Sequence, residues 1–140
     1  MQKVEYGIPL IHKMGYKEEF IKFMVESGVL TFGDFVTKSG RNTPYFINTG
    51  NYKTGAQAHR LGQFYASCIK EHMDAGEIDP ETKVLFGPAY KGIPLAVATS
   101  ISLAAEHGMD VSYCFNRKEK KDHGEGGNMD GYKLQDGDKV

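Results

Sequence analysis

A cluster of cations followed by glycines is the part of this sequence whose residue types point most directly to chemistry. Residues 116–127 read NRKEKKDHGEGG and place four cations within five positions. The four cations are Arg117, Lys118, Lys120 and Lys121, and His123 follows two positions later. Because like charges repel and glycines lose much backbone entropy on ordering, we predict an exposed loop that becomes ordered over an anionic ligand. A solvated charged loop without a ligand is the alternative that composition alone leaves open.

A second segment, GPAYKGIP at residues 87–94, follows a short apolar run and precedes an apolar helix pattern. In open α/β sheets, ligands bind beyond the carboxyl ends of the strands, where the free amides of helix N-termini attract anions. We therefore predict that the amides around Lys91 and Gly92 bind a phosphate, with Tyr90 and Lys91 adding a ring and a charge. The segment is neither a GxxxxGK[ST] loop nor a GxGxxG loop, so alone it is a weak signal.

The elements that must position these loops follow from apolar periodicity. The pattern predicts a helix from Tyr16 that ends near Gly28, a β-hairpin within residues 31–50 whose turn lies at 39–44, and a helix that begins at Thr54. Gln57 stands three residues after Thr54, the spacing of a capping box.

The C-terminal half of the sequence predicts one βαβ unit. Residues 83–86 and 111–115 are apolar strand patterns, and residues 93–105 between them have the composition of a buried helix. Such a unit implies a parallel sheet with a right-handed crossover. Both anion-seeking loops then leave the same edge of the sheet, an arrangement that suits a ligand with several phosphates.

Composition excludes several classes of protein. The chain has 140 residues, 40% hydrophobic and 25% charged, which is typical of one globular domain. Its net charge of −1 argues against a general nucleic-acid coat. Cys68 and Cys114 lack metal-site spacing and are predicted to be buried free thiols. No signal-peptide core or membrane-length apolar run is present, so we predict a cytoplasmic protein with no membrane association.

Three segments resemble a known family in order along the chain. They are FGDFVTKSGRNTPYFINTG, LFGPAYKGIPLA and YCFNRKEKKDHGEGG, and the similarity extends over residues 25–140. The sequence resembles the orotate phosphoribosyltransferases of pyrimidine biosynthesis. The resemblance implies a type I phosphoribosyltransferase fold, which is an α/β, Rossmann-like parallel-sheet core with an N-terminal helix and a β-hairpin hood. It also implies a homodimer that uses Mg²⁺ to couple orotate to 5-phosphoribosyl 1-diphosphate, giving orotidine 5′-monophosphate and diphosphate.

The resemblance also implies roles for individual residues. Lys38 is similar to the hairpin lysine that reaches the substrates, and Phe46 with Ile47 takes the place where orotate is bracketed, although a second aromatic residue is common at Ile47. The implied phosphoribosyl diphosphate contacts are Lys38, Tyr90, Lys91, Arg117, Lys118, Lys121 and His123. Of these, Lys121, Lys118, Arg117 and His123 are the implied catalytic residues, with Lys121 first at the leaving group. The Mg²⁺ is expected to be held mainly by substrate, without a protein metal site, and loop 116–127 to reach the partner's active site.

The family's acidic strand and its threonine- and glycine-rich phosphate loop are expected after Val140. Asp136, Gly137 and Asp138 are predicted to form the preceding turn, and Lys139 and Val140 to begin that strand. We therefore expect a form truncated before the second half of the sheet, with little or no activity when the chain ends at Val140. The predicted organisation is a single domain over 1–140, with an irregular arm at 1–15, the helix and hood at 16–50, and the start of the α/β core at 51–140.

Other functions remain open at this point. A non-catalytic phosphate- or nucleotide-binding module, or an inactive fragment of such an enzyme, would keep both loops and bind without turnover. A single-stranded nucleic-acid binder would use the same cations with Phe and Tyr platforms, but the balanced charge disfavours it. A phosphoribosyltransferase for another base is disfavoured by the hairpin and the HGEGG loop.

Overall fold

The structure is a computed structural model that describes residues 14–119 and 127–140. Four helical segments and five strands make up these residues. In chain order they are α1 (Tyr16–Glu26), β1 (Leu30–Val36), β2 (Asn42–Ile47), a 3₁₀ turn (Thr49–Asn51), α2 (Gly55–Asp74), β3 (Val84–Gly87), α3 (Gly92–His107), β4 (Ser112–Asn116) and β5 (Met129–Gly131). Most of the predicted arm lies outside the described residues, and the predicted division of the chain into arm, hood and core stays a prediction.

The hairpin is confirmed, but its turn lies earlier than predicted. β1 and β2 pair antiparallel from Leu30 opposite Ile47 to Val36 opposite Asn42. The turn occupies residues 37–41, where the Thr37 amide donates to the Arg41 carbonyl over 2.9 Å. The predicted turn at 39–44 was wrong because Asn42 and Pro44 are residue types that are common in turns. Both lie within β2 instead. In the described residues β2 pairs only with β1, and a strand with one free edge tolerates a proline.

Helix α2 begins as the sequence predicts. The Thr54 hydroxyl accepts from the Gln57 amide over 3.1 Å, while the Gln57 side-chain oxygen accepts from the Thr54 amide, also over 3.1 Å. This capping box satisfies two amides that the first helical turn would leave unpaired. Gly62 then brings α2 close to α3, since a Cβ placed on it would lie 2.5 Å from the Ala98 carbonyl oxygen.

The βαβ unit is confirmed and carries one strand that the sequence did not indicate. β3 and β4 pair in parallel, with Val84 opposite Ser112 and Gly87 opposite Phe115, and α3 packs on both strands. Helix α3 ends at Gly108, whose φ of 64° is the left-handed conformation that glycine adopts without strain. β5 extends this sheet by pairing antiparallel with β4, so the strand order is β3, β4, β5.

The core lies between the two long helices and the three-stranded sheet. Its buried apolar residues are Val29, Phe64, Ala66, Val84, Ala96, Leu103 and Cys114. Helix α1 contributes Phe20 and Phe23, whose ring centroids lie 5.1 and 5.5 Å from that of Phe64. Both cysteines are free, but only Cys114 is fully buried. The prediction that Cys68 is buried was wrong, because its position on α2 leaves it partly exposed.

The C-terminal residues turn back toward β3. Asp138 closes the predicted turn, since its carboxylate accepts from the Gln135 amide over 2.7 Å and its amide donates to the Gln135 carbonyl over 3.1 Å. The Lys83 amide then donates to the Lys139 carbonyl over 3.1 Å. This bond places Lys139 beside the outer edge of β3.

None of the helices within the described residues has the length and apolar character needed to cross a bilayer.

Candidate active site

The loop between β3 and α3 depends on two glycines at its ends. A Cβ on Gly87 would lie 2.5 Å from the Gly92 carbonyl oxygen, and a Cβ on Gly92 would lie 2.5 Å from Cδ of Pro88. The Gly92 amide donates to the Pro88 carbonyl over 3.0 Å, and the Ala89–Tyr90 peptide bond within the loop is cis. The two Cβ clashes show that the loop requires glycine at both of its ends. Because its amide is already paired, Gly92 does not offer the free phosphate donor that we predicted.

The end of β4 holds this loop in place. Asn116, the last residue of β4, accepts a hydrogen bond through its side-chain oxygen from the Ala89 amide over 2.6 Å. The bond is partly buried and joins residues 27 positions apart. Sequence analysis did not single out Asn116. Its place as a polar residue directly after an apolar strand was the only signal, and many solvent-exposed residues share that signal.

Arg117, near the start of the predicted basic loop, contacts β5 and the residue before it. The Arg117 amide donates to the Asn128 carbonyl over 2.6 Å, continuing the pairing of the two strands. The Arg117 side chain forms an ion pair with Asp130, with 2.6 Å between Nε and Oδ2. Sequence analysis missed Asp130 because a strand of three residues gives no usable periodicity. These two contacts hold together the two chain segments at the ends of the loop of residues 116–127.

A cavity of about 380 Å³ opens between the two loops at the carboxyl ends of β3 and β4. On one side Lys118 lies over the Tyr90 ring, with 4.9 Å between Nζ and the ring centroid. The residues that line the cavity are Tyr90, Ile93, Phe115, Asn116, Arg117, Lys118, Glu119 and Asp130. The structure thus brings together three predicted site residues, Tyr90, Arg117 and Lys118, from loops that are distant in sequence.

Lys91 lines a different and larger cavity. This second space of about 750 Å³ lies between α1, α2 and the start of α3, and its walls are mainly apolar. Tyr52, stacked on Phe23 with 5.5 Å between ring centroids, is one of its aromatic residues. Burial raises the pKa of the Tyr52 hydroxyl above its usual range. Lys91 and Tyr90 are adjacent in sequence, yet within the described structure they face separate cavities.

The hairpin residues do not line the cavity between the loops. Lys38 is exposed in the turn of the hairpin, and Phe46 and Ile47 are about half exposed near the end of β2. The Phe46 ring packs against Phe35, with 5.6 Å between centroids. The side chains expected to bracket orotate are therefore accessible, but in residues 14–119 and 127–140 they are not grouped with Tyr90, Arg117 and Lys118.

Lys121 and His123 lie outside the described residues, so their predicted roles stay predictions. Burial raises the pKa of the Cys114 thiol, which lies two residues before Asn116. A neutral buried thiol is a poor nucleophile and metal ligand, which agrees with a purely structural role. The described residues contain no group of three or more His, Cys, Asp or Glu side chains placed to hold a metal ion.

Comparisons with known proteins show which proteins this chain is similar to. The chain is 66% identical to an orotate phosphoribosyltransferase of Clostridium beijerinckii over 125 residues, 89% of this chain and 54% of that protein. It is 54% identical to the orotate phosphoribosyltransferase of Vibrio cholerae over 120 residues, 86% of this chain and 54% of that protein. No family model matches the sequence.

A solved structure extends the similarity to the fold. The orotate phosphoribosyltransferase of Francisella tularensis superimposes with a TM-score of 0.70 at 40% identity, covering 86% of this chain and 52% of that one. The predicted α/β phosphoribosyltransferase-type fold is thereby confirmed. The chain spans about half the length of the relatives it matches. Over the residues that match, both the sequence and the fold of this chain are similar to those of orotate phosphoribosyltransferases.

Proposed function

We propose that the complete protein transfers the 5-phosphoribosyl group of 5-phosphoribosyl 1-diphosphate to orotate, giving orotidine 5′-monophosphate and diphosphate. The observation that carries the proposal is the joining of Tyr90, Arg117 and Lys118 around one cavity at the sheet edge. The sequence similarity to orotate phosphoribosyltransferases supports it. A cavity that combines two cations with a ring suits a ligand that has both phosphates and a sugar.

The chemistry explains why cations belong at this position. Breaking the bond between the ribose C1 and the diphosphate develops positive charge on the sugar and negative charge on the leaving diphosphate. Preplaced cations stabilise that negative charge as it develops, so they lower the barrier more than they stabilise the bound substrate. We assign this role first to Lys121, with Lys118, Arg117 and His123 sharing it. Closure of the 116–127 loop would exclude water that could otherwise react with the sugar cation.

The remaining substrate contacts follow from the resemblance. Orotate would be bracketed by Phe46 and Ile47, and Lys38 and Lys91 would contact phosphoribosyl diphosphate. The half-exposed side chains of Phe46 and Ile47 leave room for a planar ligand.

The residues of the cavity fit a magnesium ion that is held mainly by substrate. Asp130 is engaged by Arg117, which leaves Glu119 as the other carboxylate in the cavity wall. Mg²⁺ keeps several waters and binds through substrate phosphates with one or two carboxylates, so Glu119 alone would meet that need. When bound, the ion would neutralise part of the diphosphate charge.

We further propose a cytoplasmic homodimer in which loop 116–127 reaches the partner's site.

The test is the loss of orotate absorbance on adding 5-phosphoribosyl 1-diphosphate and Mg²⁺ to the protein expressed from the complete reading frame. We expect consumption of orotate that falls by at least about 100-fold in Lys121→Ala, since preplaced charge at a leaving group is worth about that much. Lys22→Ala is the matched control, because Lys22 is an exposed α1 lysine whose ion pair with Glu26 lies on the helix surface.

The alternatives give different results in the same assay. A binding module would bind inorganic diphosphate, measured by calorimetry, without consuming orotate. A protein that is folded, bound to diphosphate and inactive with orotate would therefore refute the proposed reaction. Equal activity in Lys121→Ala and the parent would keep the reaction but remove Lys121 from it.

A further inference from the structure

Asp130 is the one acidic residue of the cavity whose side chain pairs with a predicted catalytic cation. Its Oδ2 lies 2.6 Å from Nε of Arg117, and about a third of each side chain is exposed. The ion pair joins the residue directly after β4 to β5, beside the backbone hydrogen bond from the Arg117 amide to the Asn128 carbonyl. A carboxylate in the wall of an anion site repels the ligand, so its presence there calls for a compensating role.

The atom that Asp130 contacts suggests what that role is. A guanidinium group has five N–H donors in a planar fork, and Nε carries only one of them. Among the described residues, Asp130 is the one ion-pair partner of the Arg117 side chain, and it contacts Nε and neither terminal nitrogen. The two terminal nitrogens can bind two phosphate oxygens side by side, so an ion pair at Nε orients the fork and leaves that edge unused.

We propose that Asp130 is a positioning residue that holds Arg117 by Nε so that its terminal nitrogens face the diphosphate of the bound substrate. The proposal rests on the function proposed above and adds a residue to its site. Fixing a long side chain before binding avoids an ordering cost of about 0.5–1.5 kcal/mol when the ligand binds, equivalent to about 2- to 12-fold in affinity. Asp130 therefore acts on substrate affinity and has little effect on the chemical step.

The test compares variants that remove the acceptor with one that keeps it. Asp130→Ala removes the acceptor, and Asp130→Val repeats the loss with a side chain that suits a strand. Asp130→Asn removes the charge and keeps an oxygen that accepts from Nε. Asp110→Ala, an exposed aspartate before β4, controls for the loss of a carboxylate elsewhere. We expect the KM for 5-phosphoribosyl 1-diphosphate to rise about 3- to 10-fold in the Ala and Val variants, with kcat within about twofold of the parent.

The Asn variant and the control decide the mechanism. We expect both to keep a KM within about twofold of the parent. A KM that is unchanged or lower in Asp130→Ala and Asp130→Val would overturn the proposal, and a lower value would identify the carboxylate as a competitor of the ligand. A rise in Asp130→Asn as large as in Asp130→Ala would overturn it as well, because the charge and not the oriented acceptor would then be responsible.

Two further measurements separate this inference from the proposed reaction. Calorimetric binding of inorganic diphosphate to the same variants needs no turnover, and we expect the same order of affinities. The NMR signal of the Arg117 Nε–H should be protected from exchange in the parent and in Asp130→Asn, and lost in Asp130→Ala. If the parent does not consume orotate, the reaction is refuted while these two readouts still decide the role of Asp130. An equally protected signal in Asp130→Ala would refute the positioning role alone.

Discussion

Replacing Gly62 with alanine tests how closely the two long helices must pack. Gly62 lies in the interior of α2, buried against α3, and an added Cβ would lie 2.5 Å from the Ala98 carbonyl oxygen and 2.6 Å from its carbonyl carbon. Ordinary van der Waals contact begins at 3.4 Å. The helices would therefore have to separate by about 1 Å, since a backbone carbonyl has no rotamer through which to move away.

Two opposing contributions set the size of the effect. Overpacking of a close contact costs about 1–3 kcal/mol, and a clash with a helix backbone belongs at the upper end of that range. Alanine gains about 1 kcal/mol over glycine in a helix interior. We expect Gly62→Ala to lower the free energy of unfolding by about 2 kcal/mol, measured by equilibrium urea unfolding.

Gly55 supplies the matched control within the same helix. It is the first residue of α2, and no atom would lie within 4 Å of an added Cβ. Gly55→Ala should therefore raise the free energy of unfolding by up to about 1 kcal/mol, because it restricts the unfolded chain without a clash. A Gly62→Ala protein as stable as the parent, or two variants that change in the same direction, would show that the α2–α3 packing argument is wrong.

Three further predictions concern the loop, the core and the C-terminal residues. Asn116→Ala should leave the Ala89 amide unpaired and weaken binding of inorganic diphosphate by about tenfold in calorimetry, and unchanged affinity would contradict the positioning of this loop by Asn116. Leu103→Ala, at a fully buried site, should lower the urea unfolding free energy by about 2–5 kcal/mol, and a loss below about 1 kcal/mol would show that Leu103 is not a central core residue. The hydrogen bond from the Lys139 ammonium lowers the pKa of Asp79, so this contact stabilises the fold above the ordinary aspartate pKa and is lost as the pH falls through the lowered value. An NMR titration should show the pKa of Asp79 returning upward in Lys139→Ala, and an unchanged value would exclude the ion pair as its cause.

Local patterns were sufficient to predict most of the elements. The capping residues Thr54 and Gln57, the left-handed Gly108 and the apolar run of α3 each act within a few residues of their own position. Their effect depends on backbone geometry that neighbours in sequence define, so the helices and the parallel βαβ unit were predicted correctly. The turn of the hairpin was placed too late because Pro44 is read locally as a turn residue, whereas its place in a strand depends on its partner strand.

The site depends on contacts that no local pattern encodes. Asn116 accepts from the Ala89 amide across 27 residues, and Arg117 forms an ion pair with an aspartate in a strand too short to predict. The same limit applies to Lys91, which is adjacent to Tyr90 in sequence but lines another cavity.

The sequence by itself determined the order of the three long helices and of β1 to β4, the two loops and the cations that they contain, because charge, glycine content and apolar periodicity are properties of short segments. Only the tertiary structure decided which of those residues meet. The parallel pairing of β3 with β4 brings the carboxyl ends of both strands to one edge, and Tyr90, Arg117 and Lys118 then share a cavity. Distances between residues that are far apart in sequence are set by packing of the whole domain, and that packing exists only after the chain has folded.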